Sequence, residues 1–423
     1  MRRHASLAGC IVSVAVFIFS TPPAIAEEPQ VSTLVRSASP DWPQWRGPRR
    51  DGISEETGLL PSWPEGGPTR LWTAAGIGRG YSSCIVANKT IFITGDKEND
   101  LIISAFSLSG TLRWRTKNGA SWQRSYPGAR SSCTHDDGKL YHMNAHGRLV
   151  CLDAETGREE WVVRVLERFQ GKNIFWGLSE SLVVHGDLVF ATPCGAKGLM
   201  VALNKQTGDT VWATPAIADE RPSYASPLLI NVAGRTLLIN NATQNAFAVD
   251  AKTGELCWQV SQEDPKNTMT TIPVLARNEL LMTNSSRGYG AIYGVRLDGS
   301  RGEKTWVKEL SIGHGSTVCI DGQFYGAARR GVARGWVAID AETGSIRTKS
   351  ELETGSLIYA DGRFYCLSAG GMMTLQKLTA DGFQTVGSFR IGEGRDIWAH
   401  PVICNGRLYL RVHEKLFCYD IGS

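Results

Sequence analysis

From about residue 70 to the C-terminus, apolar runs of four or five residues alternate with short polar turns. Leu149-Val-Cys-Leu152, Leu199-Met-Val-Ala-Leu203 and Ala246-Phe-Ala-Val249 are such runs. Each leads into the same phrase: Asp153-Ala-Glu-Thr-Gly-Arg-Glu-Glu-Trp161, Asn204-Lys-Gln-Thr-Gly-Asp-Thr-Val-Trp212 and Asp250-Ala-Lys-Thr-Gly-Glu-Leu-Cys-Trp258. Asp340-Ala-Glu-Thr-Gly-Ser-Ile-Arg-Thr348 keeps the turn without the Trp, and Ser107-Leu-Ser-Gly-Thr-Leu-Arg-Trp114 keeps the Gly-to-Trp spacing. The pattern predicts strand, tight turn, strand: Asp opens the turn, Gly supplies a positive φ, and Trp lies on the outgoing strand.

Seven such units can be placed, with first strands beginning near Ser82, Ser131, Ser179, Ala225, Thr271, Gly315 and Gly355. The two ends are each incomplete. Leu71-Trp72-Thr73 reads as a last strand without its predecessors, and Ala399–Cys404, Arg407–Arg411 and Leu416–Tyr419 read as three strands without a closing one. A ring closed by joining the termini accounts for both deficits and leaves no open sheet edge. The expected fold is therefore all-β: an eight-bladed β-propeller of four-stranded antiparallel blades, the last blade closed by the N-terminal strand, with seven blades as the alternative count. A blade cannot bury both faces alone, so the repeated Trp72, Trp114, Trp161, Trp212, Trp258 and Trp306 are expected to pack against the next blade.

The expected division is a leader over 1–26, an irregular arm over 27–67 and the propeller over 68–423. The leader rests on Arg2 and Arg3, the apolar run Ile11–Phe19 and Ala24-Ile-Ala26. It implies an exported protein, periplasmic or secreted, with no further membrane span. The arm contains Asp41-Trp-Pro-Gln-Trp-Arg-Gly-Pro-Arg-Arg-Asp-Gly52 and is expected to anchor itself on the body through Trp42 and Trp45. The formal charge is +4, and losing Arg2 and Arg3 with the leader leaves about +2. With no basic run, nucleic acid is not an expected partner. The cysteines from Cys84 to Cys418 are scattered, with no C-x-x-C and no adjacent pair, which points to buried free thiols. A bridge between Cys404 and Cys418 is the pairing left open.

The tandem Asp-x-x-Thr-Gly-x-x-x-Trp units resemble the repeats of pyrroloquinoline-quinone-type (PQQ-like) propellers, from residue 68 to the C-terminus. That superfamily includes quinoprotein alcohol dehydrogenases and BamB-type scaffolds of outer-membrane protein assembly. The Trp-Pro-Gln-Trp-Arg-Gly-Pro arm and Trp176-Gly-Leu-Ser-Glu-Ser181 are similar to a branch of exported bacterial propellers. In the dehydrogenases the resemblance implies PQQ and calcium in the central funnel, with adjacent cysteines and a Gly-Ala-Glu whose carboxylate binds the metal. Here the corresponding segment is Gly195-Ala196-Lys197, and an ammonium is the wrong charge for a hard cation.

Propeller ligands sit on the connections between blades, and these are rich in aromatic and cationic residues. Trp122, Arg124, Tyr126, Arg168, Phe169, Lys172, Phe175, Arg221, Arg395 and Asp396 lie on them. Tyr81, Arg130, Tyr224, His314 and Trp398 align at the head of the inner strand, with Glu180, Ser226 and His400 two residues further on and Trp176 nearby. These nine form the candidate funnel mouth for a sugar, another small polar ligand or a peptide; Glu180, next to an Arg, reads as structural before it reads as a general base. No catalytic or metal-binding residue is assigned. His142 and His146 are too far apart on one strand for zinc and are expected at the surface, unless a turn folds at Ala145-His-Gly147. Gly76–Gly80 opens no helix, and no Gly-x-Ser-x-Gly or His-Glu-x-x-His occurs. The leading role is a monomeric, noncatalytic binding or scaffold module that engages an envelope protein or a small ligand. A quinoprotein-type oxidoreductase and a carbohydrate-binding propeller are the alternatives.

Overall fold

The computed structural model describes Met1 and residues 30–34, 41–262, 271–285, 290–299, 301–350, 352–380, 382–392 and 394–423. Apart from Met1, the expected leader lies outside them. The described residues are strands and turns, with a single helical turn at Val165–Arg168. Four antiparallel meanders come first, running from Ile85–Ala87 to Leu112–Ala120, Thr134–Asp136 to Glu159–Arg164, Val183–His185 to Thr210–Ala213, and Leu228–Val232 to Leu256–Ser261. The fifth and sixth units are one seven-stranded sheet, because Arg301–Ile320 is a single strand. Its first half pairs with Gly290–Asp298 and its second with Gln323–Gly331. The seventh unit runs from Gly355–Ala360 to Gly382–Arg390.

The eighth unit is assembled from both ends of the chain. Val402–Cys404, Arg407–Val412 and Lys415–Asp420 are completed by Arg70–Ala75, with Trp72 opposite Cys418 and Thr73 opposite Phe417. This is the closure expected from the two deficient termini.

The repeated turn works through three linked contacts. Asp153 Oδ1 accepts from Thr156 N at 2.9 Å and Thr156 Oγ1 at 2.8 Å, which shapes the turn, and Asp250 and Asp340 do the same with Thr253 and Thr343. On the outgoing strand each Trp faces a small residue: Trp114 faces Ala105, Trp161 Cys151, Trp212 Ala202, Trp258 Ala248 and Trp306 Gly294. A register shift follows each pair and turns the strand. The indole then lies against the turn glycine of the next unit. A Cβ on Gly157 would come 2.5 Å from Trp114, and one on Gly208 would come 2.8 Å from Trp161. The indole N–H donates to a carbonyl of that same turn: Trp161 to Lys205 O at 3.0 Å, Trp306 to Ala341 O at 2.9 Å. The turn glycine is therefore fixed twice, by its φ and by the ring above it.

Three expectations are refined. Apart from buried Trp258, these tryptophans are half-buried, so each contributes less than a fully buried indole would. In the seventh unit the Trp position is Gly387, and the arm's Trp63 packs over it beside Phe389 and Tyr365. All nine described cysteines are free; Cys151 and Cys418 occupy the small position opposite a Trp, and Cys404 and Cys418 are not bridged.

The arm does more than anchor itself on the body. Trp42 bridges to Val86, Pro43 O accepts from His135 N, and Arg50 donates to Ser181 O and Leu182 O. Val31–Thr33 adds to Leu228–Val232, Arg46 donates to Thr317 O, and Ile53–Ser54 pairs parallel with Tyr359–Ala360. Contacts with the innermost strands of so many units place residues 42–54 at the axis, while Trp63 reaches the outer strand of the seventh unit.

Candidate functional site

Above this part of the arm, the heads of the inner strands are tied together in a ladder. His400 N donates to Ser83 Oγ at 2.8 Å, Ser132 Oγ to Ser83 O at 2.8 Å, Ser132 N to Ser181 Oγ at 3.0 Å, and Ser181 N to Ser226 Oγ at 2.9 Å. Ser83, Ser132, Ser181, Ser226 and His400 are thus equivalent positions. The sequence alignment placed Glu180 in that row, one residue out of register. In an extended chain one residue reverses the side chain. Glu180 accordingly turns away from the axis, and its carboxylate accepts from Thr192 N and Thr192 Oγ1, both at 3.1 Å. Burial pushes its pKa up to about 7, against the hydrogen bonds from Thr192 and the charge of Arg50.

The other eight candidates, Tyr81, Arg130, Trp176, Tyr224, Ser226, His314, Trp398 and His400, line one cavity of about 270 Å³. Trp45, Tyr126, Ser179, Ser181, Thr271, Gly313, Arg329 and Asp396 complete the lining. Trp398 stacks with Tyr81 at 4.8 Å and with His314 at 4.3 Å, and Tyr126 tilts against it at 5.1 Å. Trp176 and Tyr224 meet at 5.5 Å, and the Tyr224 hydroxyl accepts from Trp176 N at 3.1 Å. The floor is Trp45, a residue expected only to anchor the arm. Its ring meets His400 edge-on at 5.3 Å, and the guanidiniums of Arg46 and Arg50 each lie 6.0 Å from its centre.

The charged groups divide into fixed and available. Arg130 donates to Ser125 O, Tyr126 O and Gly128 O and lies 5.3 Å from the Trp122 ring, so it braces the 125–128 loop at the rim. Burial lowers its pKa to about 10, which leaves it cationic at neutral pH. Arg329 makes no ion pair among the described residues. Burial, then the charges of Arg329 and Arg130, hold His314 down at about 4. Burial and the Arg46 charge hold His400 at about 3. Both imidazoles are therefore neutral. His400 is fully engaged, with Nε2 on His314 O at 3.0 Å and Nδ1 facing Arg46 Nη1 at 3.4 Å. The His314 ring nitrogens have no hydrogen-bond partner among the described residues.

Several other candidates fall outside the cavity. Trp122 and Phe169 are buried beneath the connections, and Arg124, Arg168, Lys172, Phe175, Arg221 and Arg395 are exposed away from its lining. The turn at Ala145–Gly147 does form, the case set apart from the surface expectation: His142 is buried, hydrogen-bonded to Asn118 and Ser131, while His146 is exposed beside Trp122. Burial drives the His142 pKa to about 3. No group of three or more His, Cys, Asp or Glu residues suited to a metal occurs among the described residues. The cavity lining offers one carboxylate, Asp396, where calcium takes six to eight oxygens. One carboxylate falls short of that oxygen set.

Comparison with known proteins agrees with this architecture. A family model described as outer membrane protein assembly factor BamB matches residues 99–350, more than half of the chain. The quinoprotein alcohol dehydrogenase PedH of Pseudomonas putida is 29% identical over 155 residues, covering 34% of this chain and 24% of that enzyme. A quinoprotein ethanol dehydrogenase of Pseudomonas putida is 28% identical over 160 residues, 35% of this chain and 25% of the enzyme. The matched stretch is thus about a quarter of these relatives' length. BamB from Moraxella catarrhalis superposes with a TM-score of 0.59 at 18% identity, over 83% of this chain and 97% of that one. Quinohemoprotein alcohol dehydrogenase from Comamonas testosteroni gives 0.64 at 12% identity, over 92% and 81%. These superpositions establish the fold, and the extent of the family match establishes membership: the chain belongs to the PQQ-like repeat propellers of the BamB family.

Proposed function

We propose that this chain is an exported, noncatalytic binding module of the cell envelope whose funnel mouth captures a small polar ligand. One observation carries the reading: a cavity closed below by the protein's own arm and walled by six aromatic side chains. Such a site has the apolar walls and few convergent polar groups of a ligand pocket. Neutral His400 is held by hydrogen bonds on both nitrogens, which suits it to shaping the floor. Export is supported by the leader-like N-terminus, and no helix among the described residues is long and apolar enough to cross a membrane. The likeness to BamB supports a protein partner in the envelope as a companion role for the outer surface.

A quinoprotein-type oxidoreductase is the second reading, favoured by the matched stretch shared with quinoprotein alcohol dehydrogenases. A quinone, when bound, would supply the hydride-accepting chemistry. Titration of the purified chain with PQQ and calcium, followed by alcohol-dependent dye reduction, separates the two. The binding-module reading predicts no dye reduction, and saturable PQQ binding with turnover would overturn it.

A further inference from the structure

We propose that the funnel cavity is selective for a small, singly charged carboxylate sugar, a uronic acid in chemical class; this rests on the cavity being a ligand site. The first support is charge. Arg130 and Arg329 face the cavity against the single carboxylate of Asp396, so the lining residues sum to one positive charge, with Asp96 acting on Arg130 from outside the lining. Beneath the floor, Arg46 is fully buried, and its hydrogen bonds go to the carbonyls of Arg50, Asp51 and Thr317 and to His400 Nδ1. Burial lowers its pKa to about 10 against the charge of Asp51, so it stays cationic under Trp45 with that carboxylate partly offsetting it. One excess charge matches a monoanion. Each further negative charge on a ligand would be buried unpaired, which is costly.

The second support is the kind of polar group on offer. Asp396 can only accept hydrogen bonds when ionised, the Tyr and Ser hydroxyls donate and accept, and the neutral His314 ring has one of each to spare. A polyol ring presents donors and acceptors all round and can use this mixture. A flat aromatic polyanion offers few donors and brings more than one negative charge towards Asp396. The third support is shape. Sugar C–H faces pack on aromatic rings, and Trp45, Trp176 and Tyr224 are each only partly buried, with area left to cover. At about 270 Å³ the space lies just under the usual range for drug-sized ligands, which suits a single substituted ring.

Isothermal titration and thermal shift of the full chain with glucuronate, glucose and PQQ test the proposal. Arg329 is exposed, so Arg329→Gln is expected to fold. Glucuronate is expected to bind at least about tenfold more tightly than glucose, the scale of one charge-assisted hydrogen bond. That advantage should shrink in R329Q and at high salt. Equal affinity for glucuronate and glucose would overturn the carboxylate claim while leaving the binding module standing. A glucuronate preference that R329Q leaves intact would overturn the assignment of the excess charge to Arg329. If neither sugar nor PQQ shifts the protein, the reading of the cavity as a ligand site falls with it.

Discussion

Gly138 and Gly157 allow the Trp–turn contact to be weighed on its own. Both have φ of +72°, in the same unit, and both are turn glycines. A Cβ on Gly138 would meet nothing within 4 Å, whereas one on Gly157 would lie 2.5 Å from Trp114 Cε3 and 2.7 Å from Thr116 Oγ1. Alanine at either site bears the left-handed backbone cost of roughly 1–2 kcal/mol. At Gly157 it also forces the indole off its seat, at about 1–3 kcal/mol for overpacking. Gly157→Ala should therefore destabilise by about 2–5 kcal/mol and Gly138→Ala by about 1–2 kcal/mol. Urea denaturation midpoints of the two variants, compared at equal slope, measure the difference. In a Trp114→Ala background the indole's share of the overlap is gone and only that with Thr116 Oγ1 stays, so Gly157→Ala should fall towards the Gly138→Ala value, a coupling of about 1–3 kcal/mol. Equal losses at the two glycines, or a Gly157→Ala cost that ignores Trp114, would refute the docking account.

Glu180 makes stability fall as pH rises. Its folded pKa of about 7 exceeds the ordinary 4.5, so the native state holds an extra proton between those values and about 3 kcal/mol is lost across that window. Unfolding midpoints at about pH 4.5 and about pH 8 should show a drop that Glu180→Gln reduces; an unchanged drop would remove Glu180 as its cause. Arg46→Ala leaves Thr317 O and neighbouring carbonyls unpaired, and should cost about 3 kcal/mol while exposing residues 41–54 to limited proteolysis. Trp306→Phe keeps an aromatic ring but gives up part of the packing on Gly344 and orphans Ala341 O, for a loss of about 1–3 kcal/mol in thermal unfolding. Among the described thiols, half-buried Cys257 and Cys319 should react with a thiol reagent before the seven buried ones, all nine becoming reactive on denaturation.

The propeller was legible because its restraints are local. Asp, Thr, Gly and Trp sit within nine residues of one another, and each repeat states both the turn and the ring that will cover the next turn. Ring closure was legible for the same reason, since two partial units at opposite ends can be completed only by each other. The contacts that escaped notice are those the arm makes. Trp63 fills the space over Gly387 from more than three hundred residues away, and nothing near Gly387 signals that a Trp will be supplied from elsewhere. The single strand Arg301–Ile320 escaped as well, because a chain that passes from one unit to the next without a turn leaves no polar punctuation to read.

The cavity shows how finely such reading can divide. Eight candidates reached it because each blade connection ends at the same height on the axis, so aligned heads converge without any knowledge of their contacts. Glu180 missed by one residue, since the third connection has its own length and the period of two turns a single error into the opposite face. The seryl ladder is what corrects it: Ser181, not Glu180, exchanges hydrogen bonds with Ser132 and Ser226. Trp45 and Arg329 were missed for another reason. The first belongs to a segment without periodicity and the second to the end of a second strand, so neither lies where blade-to-blade alignment looks. Yet these two give the cavity its floor and its unpaired cation, which makes the nonrepeating parts of the chain the ones that set what it can bind.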